Sequence, residues 1–214
     1  CREVKRALLY SLFSSINSLE ILKSISSRSC LAAFTAFFIS IFFGHWFIKR
    51  LRSLKVGEDT TKTDSEELKR MHFDKKNTPT MGGIVIIVSI LVSVLLWCNI
   101  YNEYILLLMF TLIWFGVLGF IDDYIKLTQT KAAGLTDVSK LLFQSALGLI
   151  LGLILYFHMK KFAWGTHVVI PLVKDFRPDL GPLYILFVTF FIVGMSNAVN
   201  LTDGLDGLAI GCGI

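Results

Sequence analysis

The sequence predicts an all-α membrane protein, a polytopic bundle of transmembrane helices. Of its 214 residues, 54% are hydrophobic and only 17% are charged, whereas soluble domains carry about 25% charged residues. Five stretches of 17 to 19 residues contain no Asp, Glu, Lys or Arg: 30–48, 81–98, 104–121, 141–157 and 183–199. As helices they would reach roughly 25–29 Å, close to the thickness of a bilayer's hydrocarbon core. The sequence therefore excludes a soluble globule, a disordered chain and a secreted disulfide scaffold.

The two ends of the chain predict different surroundings. Residues 1–29 mix basic side chains such as Arg2 and Lys5 with apolar clusters, which favours an amphipathic segment that lies in the membrane interface. Residues 30–214 form one transmembrane domain, because no linker, internal repeat or low-complexity tract interrupts them. Residues 207–214 read as the start of a sixth span, so we expect this domain to be incomplete at its C-terminus. The four cysteines are scattered and lack the spacing of a zinc site.

Three polar segments lie on one face of the predicted membrane domain. Segments 49–80, 122–140 and 200–207 each follow an odd-numbered span, so they share a face whichever way the protein is oriented. The first contains nine Lys and Arg residues, and basic loops favour the cytoplasmic side. The sequence therefore predicts that all three segments face the cytoplasm and that the N-terminus lies outside.

The first polar segment precedes the second span. Thr78 could cap a helix and Pro79 could stand in its first turn. Backbone N–H groups at such a helix start, next to Lys75 and Lys76, suit a phosphate or diphosphate. The alternative is a capped helix whose interfacial lysines are attracted to anionic lipid.

The second polar segment contains the adjacent carboxylates Asp122 and Asp123 at the end of the third span. Two negative charges at a helix C-terminus oppose the helix dipole, so a compensating charge is expected. A divalent cation, Lys126 or another lysine could supply it. Since neighbours on a helix point about 100° apart, we expect one carboxylate to face a site and the other to support it. The alternative is a solvated helix end.

The third polar segment, residues 197–208, has the sequence NAVNLTDGLDGL. Two Asn, one Thr and two Asp side chains at a membrane boundary are costly to leave unpaired. Gly204 and Gly207 predict that the helix breaks and wraps these groups around a ligand. Such groups can bind a nucleobase edge, a ribose or the water shell of a metal. The alternative is a polar turn between spans.

Together the three segments favour phosphoryl transfer between a soluble phosphate-bearing donor and a lipid acceptor, with Mg²⁺ neutralising charge. A different class remains open: an ion or proton transporter that uses Asp122, Asp203 and Asp206 as a relay. The absence of charge from spans two to five disfavours a transporter. No nucleic-acid partner is expected.

Four motifs carry a resemblance to a known family. They are TPTMGG at 78–83, GFIDDY at 119–124, VVIPLVKDF at 168–176 and NAVNLTDGLDGLAIG at 197–211, of which the last is the most specific. Together with the interfacial start of the chain, they extend the resemblance over nearly the whole sequence. The sequence resembles the polyprenyl-phosphate N-acetylhexosamine-1-phosphate transferases of glycosyltransferase 4 type, and within them the muramoyl branch.

The resemblance implies a ten-span enzyme of the bacterial inner membrane with both ends periplasmic and a cytoplasmic active site. It implies transfer of phospho-N-acetylmuramoyl-pentapeptide from UDP-N-acetylmuramoyl-pentapeptide to undecaprenyl phosphate, with release of UMP. This is the first lipid-linked step of peptidoglycan biosynthesis. The family requires Mg²⁺, and the resemblance also implies a homodimer. The nearest alternative is the same transfer from UDP-N-acetylglucosamine.

The resemblance assigns roles by position. It makes Asp122 and Asp123 the catalytic carboxylate pair, and Asp122 either deprotonates the lipid phosphate or holds it near Mg²⁺ as a candidate metal ligand. Asn200 and Asp203 match a polar wall near the diphosphate, and Asp203 is the third catalytic candidate. The remaining matches are substrate-binding side chains: Lys75 and Thr80 on the nucleotide side, Lys126 and Lys140 in the cleft, Asn197, and Asp206 at the uridine.

Three departures from the family pattern stand out. Ala133 occupies a position where the family usually has Lys, and Lys131 is a candidate substitute. Asn77 stands where Gly is usual. The family's magnesium-binding Asp and its His-rich loop correspond to positions beyond 214, so we expect residues 1–214 alone to be inactive. A truncated, non-catalytic product is a third hypothesis.

Overall fold

A computed structural model describes residues 24–53, 81–128, 134–162, 165–169, 176–202 and 211. These residues form five α-helices: α1 Ile25–Ser53, α2 Gly83–Trp97, α3 Glu103–Thr128, α4 Asp137–Met159 and α5 Leu183–Thr202. Within this part of the chain, the only β pairing is an isolated antiparallel bridge between His167 and Asp179. The predicted all-α membrane architecture is confirmed.

Four of the helices are long and apolar enough to cross a membrane: α1, α3, α4 and α5. The second predicted span is shorter than expected, because α2 contains 15 residues rather than the 18 of the uncharged stretch. Met81 has a φ of 70° and Cys98 is extended, so neither can continue the helix. At about 1.5 Å per residue, α2 reaches roughly 22 Å, less than the ~30 Å of a hydrocarbon core.

The two ends of the chain are described only in part. Of the predicted interfacial segment 1–29, residues 1–23 lie outside the described residues, and α1 begins at Ile25. Of the predicted sixth span, 207–214, the structure describes Gly211 alone, which is helical.

The chain divides into two compact units, residues 1–135 and 136–214. In the first unit, α2 packs against both α1 and α3. Gly44 of α1 faces Val85 of α2, and a Cβ at Gly44 would lie 3.3 Å from Cγ1 of Val85. Gly116 of α3 is closer still, since its Cβ would lie 2.8 Å from Cδ1 of Ile87. Small residues at these crossings let the helices approach where lipid provides little hydrophobic drive.

Polar side chains also join α1 to α2. Ser93 Oγ donates to the carbonyl of Ala32 at 3.0 Å, and Trp97 Nε1 donates to Thr35 Oγ1 at 3.0 Å. Ser93 is buried. Interhelical hydrogen bonds of this kind stabilise helix pairs in lipid by around 0.6 kcal/mol each.

In the second unit, α4 packs along α5 through a Gly-xxx-Gly pair. A Cβ at Gly148 would lie 2.8 Å from Cα of Thr189, and one at Gly152 would lie 2.9 Å from the carbonyl oxygen of Ile185. Leu147 is fully buried beside this contact. The two backbones are therefore in direct contact, as in other small-xxx-small helix pairs.

Apolar side chains cover the outside of the helices. Phe42 of α1 is 72% exposed and Phe190 of α5 is 78% exposed. Exposing many large apolar side chains to water is costly, whereas lipid acyl chains solvate them well. The exposed surface therefore agrees with the membrane environment that the sequence predicts.

Candidate functional site

The adjacent carboxylates Asp122 and Asp123 lie inside α3 rather than at its end. The helix continues to Thr128 and has Lys126 in its last turn, so the predicted position at the helix C-terminus is wrong. The physical reason is that Lys126 complements the negative end of the helix dipole and allows another turn. The predicted charge compensation by Lys126 is confirmed, as its ammonium contacts both carboxylates.

Asp122 contacts the backbone just before α4, near the start of the described range 134–162. Its Oδ1 accepts the backbone N–H of Leu135 at 2.8 Å, and its Oδ2 lies 2.8 Å from Nζ of Lys126. The Asp122 side chain is 14% exposed. A charge-assisted bond from a backbone N–H and an ion pair within one helix turn together orient this carboxylate.

Gly134 makes this approach possible. Its φ is +95°, and a Cβ at this position would lie 2.5 Å from Oδ1 of Asp122 and 2.9 Å from Cε of Lys126. Only glycine combines a positive φ of this size with the space that the carboxylate occupies. Sequence reasoning missed this function of Gly134, although it directly follows Ala133, one of the departures from the family pattern.

Asp123 contacts the TPTMGG motif at Met81. Its Oδ2 accepts the backbone N–H of Met81 at 3.2 Å, and its Oδ1 lies 3.9 Å from Nζ of Lys126. At 32% exposed, the Asp123 side chain is more accessible than that of Asp122. The structure therefore brings the second polar segment to Met81, which follows the first polar segment in sequence, and each carboxylate accepts from one backbone segment. The expectation that one carboxylate faces a site and the other supports it stays a prediction.

The start of α2 differs from the sequence prediction. The helix begins at Gly83, and its N-cap residue Gly82 makes no side-chain cap hydrogen bond. Met81 has the left-handed φ of 70°, a conformation that costs a non-glycine residue about 1–2 kcal/mol. A helix starting at Pro79 could not continue through Met81. The backbone N–H of Met81, before α2, instead donates a hydrogen bond to the carboxylate of Asp123.

Several predicted site residues lie outside the described residues. They are Lys75, Thr80, Asp203 and Asp206, together with the departures Asn77 and Ala133 and with Lys131. Their predicted roles stay predictions.

Asn197 lies in the second unit, in a polar network between α4 and α5. Its Nδ2 donates to Oε1 of Gln144 at 2.9 Å and to the carbonyl of Val193 at 2.9 Å. Nε2 of Gln144 donates to Oγ of Ser196 at 3.0 Å. The amide nitrogen of Asn197 is thus engaged in helix packing, and its predicted role as a substrate ligand stays a prediction. Sequence reasoning missed Gln144, although an amide inside an uncharged span is a recognisable signal.

Asn200 and Lys140 are the two remaining predicted site residues that the structure describes. Asn200 is exposed in the last turn of α5, and Lys140 is partly buried in the first turn of α4. The start of α4 is capped, because Thr136 Oγ1 accepts the N–H of Ser139 at 3.3 Å.

The carboxylate pair suits Mg²⁺ in part. Mg²⁺ prefers hard oxygen ligands and is often held by one or two carboxylates plus substrate phosphates. Asp122 and Asp123 supply such oxygens side by side, although Lys126 already lies 2.8 Å from one of them. Among the described residues, no group of three His, Cys, Asp or Glu side chains is arranged to hold a metal ion. The pair could therefore provide some ligands of a metal–phosphate complex but not a complete protein cage.

Comparisons with known proteins agree with the positions of these motifs. The model of glycosyl transferase family 4 matches residues 104–214. A separate model, phospho-N-acetylmuramoyl-pentapeptide-transferase signature 1, matches residues 75–87. The first of these ranges contains Asp122 and Asp123, and the second contains Met81.

Curated relatives carry the same enzyme name. The chain is 43% identical over 203 residues to the phospho-N-acetylmuramoyl-pentapeptide-transferase of Desulforapulum autotrophicum. It is 41% identical over 204 residues to that of Syntrophus aciditrophicus and 42% identical over 204 residues to that of Desulfotalea psychrophila. Each match covers 95% of this chain and 55% of the relative, so the chain spans about half the length of these relatives. From its motifs, its helices and these matches, the chain belongs to glycosyl transferase family 4.

Proposed function

We propose that the complete protein containing these residues transfers phospho-N-acetylmuramoyl-pentapeptide from its UDP carrier to undecaprenyl phosphate. The observation that carries the proposal is the pair of carboxylates on α3, each bonded to a backbone segment of a different motif. Phosphoryl transfer depends mainly on positioning and charge stabilisation. A carboxylate–lysine cluster that organises two neighbouring backbone segments is suited to both.

The choice of donor is supported by the relatives. A signature named for phospho-N-acetylmuramoyl-pentapeptide-transferase matches residues 75–87, which include Met81, the partner of Asp123. Relatives at 41–43% identity bear the same name. UDP-N-acetylglucosamine is the competing donor. The two donors share the diphosphate and uridine, so they are distinguished by side chains that contact the sugar and the peptide.

In the proposed reaction, an oxygen of the lipid phosphate attacks the β-phosphorus of the donor. The bond from that phosphorus to the bridging oxygen breaks, and UMP leaves. Asp122 or Asp123 would accept a proton from the lipid phosphate or hold it in position, and Lys126 would balance the charge of the pair. Mg²⁺, when bound to Asp122 or Asp123 and the diphosphate, would neutralise developing negative charge. The roles that the resemblance assigns to Asp203, Asn200 and the remaining predicted residues are part of the same proposal.

The proposal includes a location. The long apolar helices support a multi-pass membrane protein, and the basic loop 49–80 supports a cytoplasmic site in the inner membrane. Accessibility of a single cysteine introduced at Thr128 to an impermeant thiol reagent would test this orientation, after the native cysteines are replaced. We expect labelling only in inverted vesicles. The homodimer implied by the resemblance would be tested by cross-linking in the membrane.

The activity is tested with membranes that contain the product of the complete reading frame. We expect UMP release that requires UDP-N-acetylmuramoyl-pentapeptide, undecaprenyl phosphate and Mg²⁺, and that stops when any of the three is omitted. Residues 1–214 expressed alone are expected to release none. Preference for UDP-N-acetylglucosamine in the same assay would replace the donor, and absence of UMP release with either donor would overturn the proposal.

A further inference from the structure

We infer that Gln144 is a positioning residue that fixes the rotation of α5 and so aims the polar side chains at its C-terminal end. The inference rests on the proposed function, because those side chains begin the NLTDG segment expected to contact the donor. Gln144 itself lies in the membrane part of α4 and is only 5% exposed. It is one of three buried polar residues in the described part of the chain.

The hydrogen-bond directions in the network are determined by one acceptor. The carbonyl of Val193 can only accept, so the group of Asn197 that faces it is the NH₂. The same NH₂ faces Gln144, which must therefore present its oxygen. The remaining NH₂ of Gln144 then donates to the hydroxyl of Ser196. Gln144 thus contacts two successive residues of α5 with opposite polarity, and only one rotation of α5 satisfies both bonds.

Two features of the α4–α5 contact restrict this rotation. Gly148 and Gly152 allow Thr189 and Ile185 to approach closely, and this packing favours one face of α5. The hydrogen bonds of Gln144 add a directional restraint beyond that packing, nearer the C-terminal end of α5. A buried polar network specifies one register because a displaced partner would be left unsatisfied.

The rotation matters because Asn200 follows within one helical turn. Asn200 is three residues beyond Asn197, which places it about 60° around the helix and ~4.5 Å along it. It is exposed in the last turn of α5, while Asn197 is partly buried. A rotation of α5 by one residue would turn Asn200 by about 100° and remove it from its present direction.

The test compares Gln144→Leu with Thr189→Val in the complete protein. Gln144→Leu keeps the approximate volume but removes both bonds to α5. Thr189→Val removes a hydroxyl from the same interface that bonds only within α5, to the carbonyl of Ile185. We expect Gln144→Leu to lower kcat at least tenfold per folded molecule, with the KM for undecaprenyl phosphate unchanged. Thr189→Val should match the parent. Gln144→Glu, which keeps an oxygen acceptor for Asn197, should recover part of the rate.

A double-mutant cycle separates positioning from simple destabilisation. If Gln144 acts through Asn200, Gln144→Leu should lower kcat less than threefold in an Asn200→Ala background. Fully additive effects, or an unchanged kcat in Gln144→Leu, would overturn the inference. Amide exchange at 197–202 provides a readout without substrate, and we expect it to accelerate in Gln144→Leu but not in Thr189→Val. If the parent protein releases no UMP, the proposed function fails. Unchanged amide exchange in Gln144→Leu would instead show that Gln144 does not fix the rotation of α5.

Discussion

The backbone N–H of Met81 donates to Oδ2 of Asp123 at 3.2 Å, across 42 residues of sequence. This bond joins the residue before α2 to the carboxylate pair of α3. Because Met81 has a left-handed φ of 70°, its N–H is turned away from the direction it would take in a continuous helix. Asp123 therefore stabilises a strained residue next to the start of α2, and helix starts are suited to binding phosphate.

The first prediction concerns the carboxylate pair. Asp122→Asn and Asp123→Asn each keep an oxygen that can accept a backbone N–H but remove the charge paired with Lys126. We expect UMP release to fall by about 10²–10³-fold in each variant, the magnitude typical of a lost electrostatic contribution. Glu103→Gln is the matched control, because it removes a carboxylate from the first turn of the same helix. Parent-like rates in either Asp variant would contradict the assigned roles.

The second prediction concerns the space at Gly134. Gly134→Ala introduces a Cβ 2.5 Å from Oδ1 of Asp122 at a φ of +95°, so the bond from Leu135 to Asp122 must lengthen. We expect a loss of roughly 1–2 kcal/mol in stability from the backbone alone and a loss of UMP release from the displaced carboxylate.

Gly181→Ala provides the control for Gly134. Gly181 also has a positive φ, of +48°, but no atom lies within 4 Å of its added Cβ. It therefore shares the backbone strain without the collision. Thermal unfolding in detergent and the UMP assay should show that Gly181→Ala lowers stability only. Equal loss of activity in both variants would mean that strain, and not the contact with Asp122, explains the effect.

The third prediction concerns the contact of α4 with α5. Gly148→Ala places a Cβ 2.8 Å from Cα of Thr189, whereas a Cβ at Gly194 of α5 meets no atom within 4 Å. Gly148→Ala should lower the unfolding temperature by separating the helices, and overpacking typically costs 1–3 kcal/mol. Gly194→Ala should be neutral or stabilising, because alanine favours the helix by up to ~1 kcal/mol over glycine. The reverse order of stabilities would show that α4 and α5 do not pack through Gly148.

The fourth prediction concerns pH and the loop before α5. The hydrogen bond from Thr166, then that from the N–H of Gly181, lowers the pKa of Asp179 below the ordinary value of an aspartate. A lowered pKa means that the ionised side chain stabilises the loop at neutral pH, and that this stabilisation disappears as the pH falls through the lowered value. The bond from Leu180 N–H to the carbonyl of Thr166, 3.2 Å long, reports on the loop.

Amide exchange at Leu180 measures this pH dependence. We expect its protection factor to fall on acidification in the parent protein. In Asp179→Asn the protection factor should be lower at neutral pH and nearly independent of pH. Thr166→Val removes the main cause of the shift, so its transition should move to higher pH. An unshifted transition in Thr166→Val would contradict the role of that hydroxyl.

Sequence patterns predicted the parts of this structure that depend on local properties. Uncharged stretches of 17 to 19 residues predicted the helices, because a membrane span requires apolar side chains along its whole length. The need for a compensating charge made Lys126 one of the candidate partners of the carboxylates, and its ion pair with Asp122 confirms that candidate. The family motifs predicted membership in glycosyl transferase family 4.

Other features depend on contacts between distant residues and were not predicted. Nothing in the sequence distinguishes Met81 as a left-handed residue, since non-glycine residues rarely adopt that conformation. As a result, the start of α2 was placed too early. The hydrogen bond from the amide nitrogen of Asn197 to Gln144, 53 residues away, was likewise not predicted.

What the sequence by itself determined is therefore the membrane class, the approximate positions of the helices and the chemical character of the polar segments. The tertiary structure alone decided that Asp122 binds Leu135 and Asp123 binds Met81. The physical reason is one of range. Hydropathy and helical spacing act over a few residues, whereas the partner of a buried polar group depends on which backbone atoms the packing of helices brings within hydrogen-bond distance.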